Sequence, residues 1–244
     1  MAGDDVRPLD TLVADALTMP PARGFTRALT ATDGLAVIAE IKRRSPSKGA
    51  LNVGLDPTAI AQAYEAGGAA CLSVLTDEEF FGGSADDLDL ARTFTGLPVL
   101  RKDFTVAARD VVDARLMGAD CVLLIAAALE RLELVEFHGL ATRLGLDVLV
   151  EVHDEPELEV ALECGATLVG VNQRDLVTFE VDHERAARMA GAIPDGVTKV
   201  AESGVRDGGD ARRLADVGYD AILVGETLVT SGDPVAALRD LLSA

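Results

Sequence analysis

The chain has 244 residues and a formal net charge of −19, and apolar residues make up 49% of it, which is ample for a sizeable core in one large domain or two small ones. The negative charge argues against nucleic acid and anionic membranes as partners. The sequence has no apolar run of about eighteen residues that would span a membrane, and its acidic, polar first ten residues lack the pattern of a signal peptide.

Cys71, Cys121 and Cys164 form an odd set of cysteines without the spacing of a metal site. Each lies in or beside an apolar run, so we expect buried thiols in a reducing cytoplasm rather than disulfides. The three histidines are also too scattered along the chain to form a metal site. The sequence therefore predicts a cytoplasmic protein without a bound metal.

Residues 1–35 are the least regular part of the chain. Leucines at helical spacing predict a helix over 9–17, which Pro20 and Pro21 bring to an end. We predict that 1–35 form an N-terminal extension that packs on the main domain, which begins at residue 36.

From residue 36 onward the chain repeats one unit, in which an apolar strand is followed by polar residues, an amphipathic helical pattern and a glycine. The predicted strands are 36–42, 70–76, 98–102, 121–126, 147–152, 168–172, 198–202 and 221–225. The predicted helices are 57–66, 84–94, 107–117, 130–144, 154–164, 183–190, 207–217 and 233–243. Glycine recurs at five helix-to-strand junctions, AGGAAC, MGADC, LGLDV, CGATL and VGYDA, where it supplies a left-handed turn.

Eight strands that alternate with eight helices predict parallel pairing and right-handed crossovers. The strands are apolar on both faces, as in a sheet covered by helices. We therefore predict an α/β fold, a single (β/α)8 TIM barrel with a short N-terminal helical extension, in which 36–244 form the catalytic domain. The alternative is a doubly wound open sheet, which does not need eight near-equal units; no GxGxxG motif follows the first strand.

The first predicted strand carries two charges in an otherwise apolar run. Glu40 and Lys42 are two residues apart, so in a strand they point to the same side. Buried charges are costly unless they are paired, and the pair is interpretable as a structural ion pair or as a catalytic pair at the mouth of the strand. The Ser-Pro-Ser-Lys-Gly sequence at 45–49 follows as a polar, basic turn suited to holding an anion.

Polar residues also stand at the carboxyl ends of later strands, which is the end of a TIM barrel where chemistry takes place. Packing alone does not explain Glu40, Glu151 and Glu202 together with Lys42 and Lys102 at the same end of four strands, so we predict an enzyme site. Its candidate residues are Glu40, Lys42, Lys102, Glu151, Asn172, Arg174, Glu202, Ser203, Gly225 and Glu226.

The last two strands end in SGV (203–205) and VGE (224–226), where small residues allow a backbone to approach a ligand closely. A helical turn after Gly225 would offer free N–H groups to an anion, and these two loops hold phosphate in phosphate-binding barrels. Tight turns that need glycine for their conformation are the alternative. With Ser45 and Lys48 as further donors, we favour a phosphate site.

Apolar residues after the second and third strands are placed to form the wall of a pocket for a ring-bearing substrate. Phe80 and Phe81 follow the second strand, and Phe104 and Leu123 are candidates for the same wall. A loop anchor or ordinary core packing is the alternative for these side chains. We interpret the acidic stretch 86–89 as the solvated start of a helix, where negative charge suits the helix dipole.

Six motifs, in order along the chain, resemble the indole-3-glycerol phosphate synthase family. They are IAEIKRRSPSKG (38–49), PVLRKDF (98–104), LVEVHDE (149–155), GVNQRDL (170–176), AESGV (201–205) and ILVGE (222–226). The motifs extend from the first strand to the last, so the resemblance covers residues 36–244. It implies conversion of 1-(2-carboxyphenylamino)-1-deoxyribulose 5-phosphate to indole-3-glycerol phosphate, carbon dioxide and water, without a metal or an organic cofactor.

The resemblance also implies roles for the site residues. Lys102 is the general acid that protonates the substrate carbonyl, and we expect neighbouring cations and apolar walls to lower its pKa. Lys42 binds the anthranilate carboxylate and assists dehydration, Glu40 orients Lys42, and Glu151 is the base. The other implied residues are Asn172, Glu202 and Ser203 in a polar shell, Ser45, Gly204, Gly225 and Glu226 on the phosphate side, and Phe81, Phe104, Leu123 and Arg174 in the rest of the substrate pocket.

This sequence departs from the family pattern in two places. Only 35 residues precede the first strand, whereas the family has a longer helical segment across the barrel mouth. Glu226 places an acid beside the expected phosphate, and we expect it to contribute its backbone N–H and to turn its side chain away.

Two other functions are compatible with parts of this pattern. A related enzyme such as phosphoribosylanthranilate isomerase requires a Cys/Asp acid–base pair, and no cysteine lies at the end of the first strand. A barrel that binds a phosphate ligand without converting it would not need Lys42, Lys102 and Glu151 together. A module of a larger bifunctional enzyme is a further alternative, but the helix at 233–243 ends the chain without a linker, so we expect a stand-alone protein. The acidic surface is compatible with a monomer, which we expect, with a homodimer as the alternative.

Overall fold

The computed structural model describes residues 6–175 and 177–243 of the chain. The first five residues of the predicted extension, the last residue of the GVNQRDL motif and the C-terminal residue therefore lie outside the described residues.

Eight parallel strands close into a barrel, which confirms the predicted (β/α)8 fold. The ten strands of the structure are β1 Ala36–Ile41, β2 Arg44–Ser45, β3 Gly49–Ala50, β4 Cys71–Leu75, β5 Val99–Lys102, β6 Cys121–Ile125, β7 Asp147–Val152, β8 Leu168–Asn172, β9 Thr198–Glu202 and β10 Ala221–Val224. The barrel order is β1-β10-β9-β8-β7-β6-β5-β4, and β4 pairs with β1 to close it. The short strands β2 and β3 form a separate antiparallel hairpin in the predicted Ser-Pro-Ser-Lys-Gly turn region.

The helices follow the predicted alternation with the strands. They are α1 Leu9–Thr18, α2 Phe25–Thr30, α3 Pro57–Gly67, α4 Glu78–Phe81, α5 Ala85–Thr93, α6 Ala108–Leu116, α7 Arg131–Arg143, α8 Glu155–Glu163, α9 Arg185–Met189, α10 Gly208–Asp216, α11 Glu226–Thr230 and α12 Pro234–Leu242. The helix at 9–17 and the eight helices of the repeat are confirmed. The short helices α2 and α4 were not predicted, whereas α11 is the helical turn predicted after Gly225.

Local sequence signals explain where the helices begin and end. Asp56 caps α3 by accepting hydrogen bonds from the N–H groups of Thr58 and Ala59, and Asp154 caps α8 by accepting one from Glu157. At the other ends, the glycines of all five predicted junctions have a positive φ: they are Gly68, Gly118, Gly145, Gly165 and Gly218. A residue with a Cβ would be strained there, so these glycines turn each helix back toward the next strand.

The barrel has two apolar cores, one between the strands and the helices and one inside the barrel. The inner core contains strand residues such as Ile38, Leu100 and Leu149, together with Phe25 and Leu29 of α2. Phe25 is fully buried, and its carbonyl oxygen accepts a hydrogen bond from the thiol of Cys71 at the start of β4. Helix α2 therefore fills the N-terminal end of the barrel, and the polar strand ends face the open end.

A network of buried charges attaches the segment before α2 to the same end of the barrel. Asp120, which is fully buried, accepts hydrogen bonds from the backbone N–H groups of Arg23 and Val99 and from the guanidinium of Arg92. The guanidinium of Arg23 in turn donates to the carbonyl oxygens of Thr95 and Leu97. The N-terminal segment is thus held by polar contacts as well as by apolar packing.

The environments of the cysteines agree in part with the prediction. Cys71 and Cys121 are buried free thiols, and burial raises the pKa of each above its usual value. Cys164 is only half-buried, whereas we expected a buried thiol. None of the described helices combines the length and the apolar character that a membrane crossing requires.

Candidate active site

One cavity of about 850 Å³ lies at the carboxyl ends of the barrel strands. It is lined by every predicted site residue: Glu40, Lys42, Ser45, Phe81, Lys102, Phe104, Leu123, Glu151, Asn172, Arg174, Glu202, Ser203, Gly204, Gly225 and Glu226. The structure thus brings together residues that are up to 186 positions apart in the sequence (40 to 226).

Strand register explains why these side chains meet. Glu40 of β1 is paired with Ser73 of β4, and Asn172 of β8 is paired with Glu202 of β9. Since side chains alternate between the two faces of a strand, residues at the same level of neighbouring parallel strands point into the barrel together. The charged side chains at this level form a layer above the inner apolar core, and this charged layer is the floor of the cavity. It consists of Glu40, Lys42, Lys102, Glu151 and Glu202.

Lys102 lies at the centre of the charged layer. Its Nζ atom is 2.8 Å from Glu151 Oε2 and 3.0 Å from Glu202 Oε2. Burial alone would lower the pKa of Lys102, but the charges of Glu151, Glu202 and Glu40 outweigh burial and raise it. The expected lowering of this pKa by neighbouring cations is therefore wrong, because the closest groups are carboxylates.

The two carboxylates beside Lys102 have opposite pKa shifts. Burial would raise the pKa of Glu151, but the Lys102 charge and a 3.0 Å hydrogen bond from Asn172 Nδ2 lower it. Burial raises the pKa of Glu202 to about 7 despite the Lys102 charge, and the charge of Glu151 adds to the rise. Glu151 is therefore ionised at neutral pH, while Glu202 exchanges a proton in that range.

A second charge pair lies on β1. Lys42 Nζ is 2.6 Å from Glu40 Oε1, and Ser73 Oγ donates to Glu40 Oε2 at 3.4 Å. A Cβ atom on Gly225 would lie 2.4 Å from Glu40 Oε1 and 2.9 Å from Lys42 Nζ. A larger residue at 225 would therefore displace the ends of the Glu40 and Lys42 side chains.

The predicted phosphate side is formed by the loops after β9 and β10. Ser203 and Gly204 both have a positive φ, which is strained for Ser203. Gly225 directly precedes α11, and Lys48 Nζ of the first loop lies 3.7 Å from Glu226 Oε1. The Glu226 side chain therefore points toward Lys48, whereas we expected it to turn away from the site.

Aromatic side chains form one wall of the cavity. Phe80 and Phe104 pack edge to face, with ring centroids 6.4 Å apart, and they are 45% and 44% exposed. This exposure excludes ordinary core packing for these two rings. Leu123 is 3% exposed and belongs to the inner core, so it contacts the cavity from below.

The expectation that the acidic stretch is solvated is wrong for one of its residues. Asp87, in the acidic stretch that we interpreted as solvated, is 5% exposed and forms an ion pair with Arg43. Arg43 also donates to the carbonyl oxygens of Gly82 and Leu55, so it ties the loop after β1 to the loop after α4 and to helix α5. The cation that precedes the basic turn is thus structural.

Most of the loop after β8 lines the cavity although it was not predicted to do so. Thr178, Phe179, Glu180, Val181 and His183 line the cavity, and a bridge between Arg174 and Val181 folds the loop back on itself. The guanidinium of Arg174 donates to the carbonyl oxygen of Phe179 at 3.0 Å. Asp175 accepts hydrogen bonds from the N–H groups of Val177 and Thr178, and Phe179 has a positive φ.

Comparisons with known proteins agree with these features. A protein-family model described as indole-3-glycerol phosphate synthase matches residues 3–241. The indole-3-glycerol phosphate synthase of Mycobacterium avium (strain 104) is 50% identical over 236 residues, which cover 97% of this chain and 86% of the relative. That of Parafrankia sp. (strain EAN1pec) is 54% identical over 210 residues, which cover 86% of this chain and 78% of the relative.

Solved structures with lower sequence identity share the fold. Thiamine phosphate pyrophosphorylase from Pyrococcus furiosus matches with a TM-score of 0.65 at 18% identity and covers 86% of this chain and 94% of its own. The N-acetylmannosamine-6-phosphate 2-epimerase from Clostridium perfringens matches with a TM-score of 0.65 at 13% identity and covers 88% of this chain and 96% of its own. At these identities the likeness shows the barrel architecture alone.

Proposed function

The chain belongs to the indole-3-glycerol phosphate synthase family, and from this membership we propose which of its residues carry out each step of the reaction. The enzyme is a carboxy-lyase of tryptophan biosynthesis that acts on a small molecule. It closes the indole ring of 1-(2-carboxyphenylamino)-1-deoxyribulose 5-phosphate and releases carbon dioxide and water. The alternative of phosphoribosylanthranilate isomerase is not favoured by the family match.

The observation that supports our assignment most strongly is the position of Lys102 between Glu151 and Glu202 on the cavity floor. An ammonium group there lies between a carboxylate that stays ionised and a carboxyl group with a pKa of about 7. Proton transfer to and from a substrate in one place requires both an acid and a base within reach. This triad supplies them on the floor of a cavity with an aromatic wall.

Ring closure begins when the ring carbon that bears the carboxylate attacks the substrate carbonyl carbon. In our proposal, Lys102 donates a proton to the carbonyl oxygen, which becomes a hydroxyl group. The raised pKa of Lys102 keeps it protonated at neutral pH, so the donor is present in every free enzyme molecule. Glu202 then returns a proton to Lys102, because its carboxyl group is hydrogen-bonded to the ammonium.

Loss of carbon dioxide restores the aromatic ring. We assign Lys42 to the substrate carboxylate, because its ammonium lines the cavity and is fixed by Glu40 at 2.6 Å. The carboxylate must leave this contact as neutral carbon dioxide, so the interaction holds the ring during attack and is released afterwards. Dehydration completes the reaction: Lys42 protonates the leaving hydroxyl group, and ionised Glu151 removes the proton from the neighbouring carbon.

The rest of the cavity is assigned to binding. Ser45, Gly204, Gly225 and the N–H groups at the start of α11 hold the phosphate, with Lys48 released from Glu226 to pair with it. The phenyl rings of Phe81 and Phe104 contact the anthranilate ring. Asn172, Ser203 and Arg174 complete the polar shell around the sugar hydroxyls, and Leu123 contacts the substrate from the floor.

We further propose that the chain works as a cytoplasmic monomer without nucleic acid or membrane partners, with residues 36–244 as its catalytic domain and 1–35 as an extension. The free thiols Cys71 and Cys121 suit a reducing compartment. The net charge of −19 disfavours contact with nucleic acid and anionic lipid. Light scattering coupled to gel filtration tests the monomer, and a mass near 51 kDa, twice 25.5 kDa, would replace it with the homodimer.

The experiment that tests the function is fluorescence-detected formation of indole-3-glycerol phosphate by the wild type and by Lys102→Ala. Removal of a general acid lowers kcat by about 100- to 10,000-fold. Lys199→Ala is the matched control, because Lys199 lies at the start of β9, far from the strand ends, and donates to the carbonyl oxygen of Ala190. Near-normal turnover by Lys102→Ala would overturn its role, and no turnover by the wild type would overturn the function.

A further inference from the structure

A histidine that the reaction does not use lies directly behind Glu151. His153 Nδ1 is 3.0 Å from Glu157 Oε2 of α8, and His153 Nε2 is 3.7 Å from Glu151 Oε1. The His153 side chain is 12% exposed, and Nε2 is buried without a hydrogen-bond partner among residues 6–175 and 177–243. The imidazole therefore connects a helix carboxylate to the carboxylate of the reaction centre.

The contact with Glu157 decides where the histidine proton is. A carboxylate only accepts hydrogen bonds, so Nδ1 carries a hydrogen in both the neutral and the charged imidazole. Glu157 Oε2 also accepts the backbone N–H of His153 at 2.7 Å, which fixes the ring against α8. Protonation therefore changes only the group at Nε2, from a lone pair that faces Glu151 to a positively charged N–H 3.7 Å from its Oε1 atom.

The charged groups around His153 favour its protonated form. Burial alone would lower its pKa, but the hydrogen bond with Glu157 and the charges of Glu151 and Glu157 raise it above the usual value. The positive charge of Arg185, on α9, acts in the opposite direction and lowers the pKa of His153. The Arg185 guanidinium donates a hydrogen bond to the carbonyl oxygen of Asn172. Two carboxylates on two elements thus outweigh one guanidinium.

We propose that His153, anchored by Glu157, is a positioning residue that holds Glu151 ionised and oriented toward Lys102 and Asn172. The proposal rests on the role of Glu151 as the base in the proposed function. His153 does not line the cavity and does not contact substrate, so it acts through Glu151 alone. Glu151 Oε2 binds Lys102 and Oε1 binds Asn172, and the protonated imidazole places a positive charge 3.7 Å from Oε1.

The proposal predicts a particular change in pH dependence. A positive neighbour stabilises the Glu151 anion and so lowers its pKa. His153→Gln keeps a neutral N–H donor and removes the charge, so the pKa of Glu151 rises and the acid limb of kcat/KM moves to higher pH by about one unit. At high pH the wild-type imidazole is neutral as well, so the two enzymes converge to within about twofold.

The experiment compares kcat/KM from pH 4.5 to 9 for the wild type, His153→Gln and His153→Ala. We expect the acid limb to move for both variants, with a further pH-independent loss for His153→Ala, which lacks any donor. His138→Gln is the matched control, because His138 is a half-buried histidine on α7 outside the cavity. Equal losses at every pH for His153→Gln would show a merely structural role and overturn the proposal.

A second measurement does not depend on turnover. The chain contains three histidines, so the imidazole NMR signals are assignable by substituting each in turn. We expect the pKa of His153 to fall in Glu151→Gln, because that variant removes one of the two anions that favour the charged ring. If the pKa of His153 were the same in Glu151→Gln as in the wild type, the proposal would be overturned even though the wild type is active. If the wild type had no synthase activity, a coupled titration would support the contact and refute only the proposed function.

Discussion

The buried charges of the reaction centre depend on one another for their protonation states. Among residues 6–175 and 177–243, Lys102 is the one cation that forms an ion pair with both Glu151 and Glu202, so it stabilises each anion only in part. Glu151 also receives a hydrogen bond from Asn172, whereas Glu202 Oε1 is buried without a partner in the described part of the chain. This difference explains why the pKa of Glu151 is lowered and that of Glu202 is raised to about 7.

Glycine 225 provides a test of how closely the second charge pair must be placed. In Gly225→Ala, the new Cβ would displace Glu40 Oε1 and Lys42 Nζ, which it would approach to 2.4 Å and 2.9 Å. We expect kcat to fall by about 10- to 100-fold, because a small displacement of a catalytic group strongly lowers the reaction rate. Displacement of this buried ion pair should also lower the free energy of unfolding, by about 1–3 kcal/mol.

The measurement is steady-state kinetics together with urea unfolding of the same samples. Gly139→Ala serves as the control, since nothing lies within 4 Å of a Cβ at that position in α7. That variant should keep full activity and gain up to about 1 kcal/mol of helix stability. Normal kinetics in Gly225→Ala would show that the Glu40–Lys42 pair tolerates displacement and does not bind the substrate carboxylate as we propose.

At the scale of elements, the two ends of the barrel have different roles, one in stability and the other in binding and catalysis. Helix α2 fills the N-terminal end with Phe25 and Leu29, and the loops after the strands carry the site at the other end. This separation is characteristic of TIM barrels, in which stability and chemistry are divided between the two faces. It implies that a change in α2 affects folding and leaves the reaction centre intact.

Phe25→Ala tests this separation. Phe25 is fully buried in the inner core, and loss of its ring should lower the free energy of unfolding by about 3–5 kcal/mol. The folded fraction should keep a kcat within about twofold of the wild type, because the inner apolar core separates Phe25 from the charged layer. Urea unfolding followed by kinetics below the transition measures both quantities.

Phe94→Ala is the matched control, since Phe94 is 48% exposed on the end of α5. Its loss should cost less than about 1 kcal/mol. A Phe25→Ala enzyme that unfolds normally would show that α2 does not stabilise the barrel, and a folded one that is inactive would contradict the separation of the two ends.

At the scale of the whole molecule, the dominant feature is a net charge of −19 that surrounds a site with buried lysines. Most acidic side chains are exposed and repel one another, and salt screens this repulsion over distances near the Debye length of about 10 Å at 0.1 M. Exposed ion pairs such as Arg7–Asp15 and Arg188–Asp182 lose little when they are screened, because each contributes about 0–1 kcal/mol. The balance favours stabilisation by salt.

We therefore expect Tm to rise by several degrees between about 0.02 and 0.3 M sodium chloride at pH 7.5, as measured by calorimetry. At pH about 4.5, where ordinary carboxyl groups are close to half-protonated, the same salt range should have a smaller effect. An equal gain at both pH values would attribute the effect to general exclusion of salt from the surface, and a decrease at pH 7.5 would show that attractive pairs dominate.

The strands, helices and junctions were predictable because their signals are local. A strand buried on both faces is continuously apolar, a helix between two such strands has one apolar side, and a glycine with positive φ must end it. The same logic placed Lys102, Glu151, Asn172 and Glu202 in one site, because parallel strands bring their carboxyl ends to one face. The family resemblance then supplied the reaction.

Sequence alone thus determined the barrel, its alternation and the membership of the site, all of which follow from periodicity along the chain. The tertiary structure decided the distances between charges that lie far apart in sequence: Lys102 between two carboxylates, Asp87 buried against Arg43, and His153 beside Glu151. Electrostatic interaction depends on separation and burial, which no local pattern contains. For that reason the raised pKa of Lys102 and the inward helix α2 were visible only in the folded molecule.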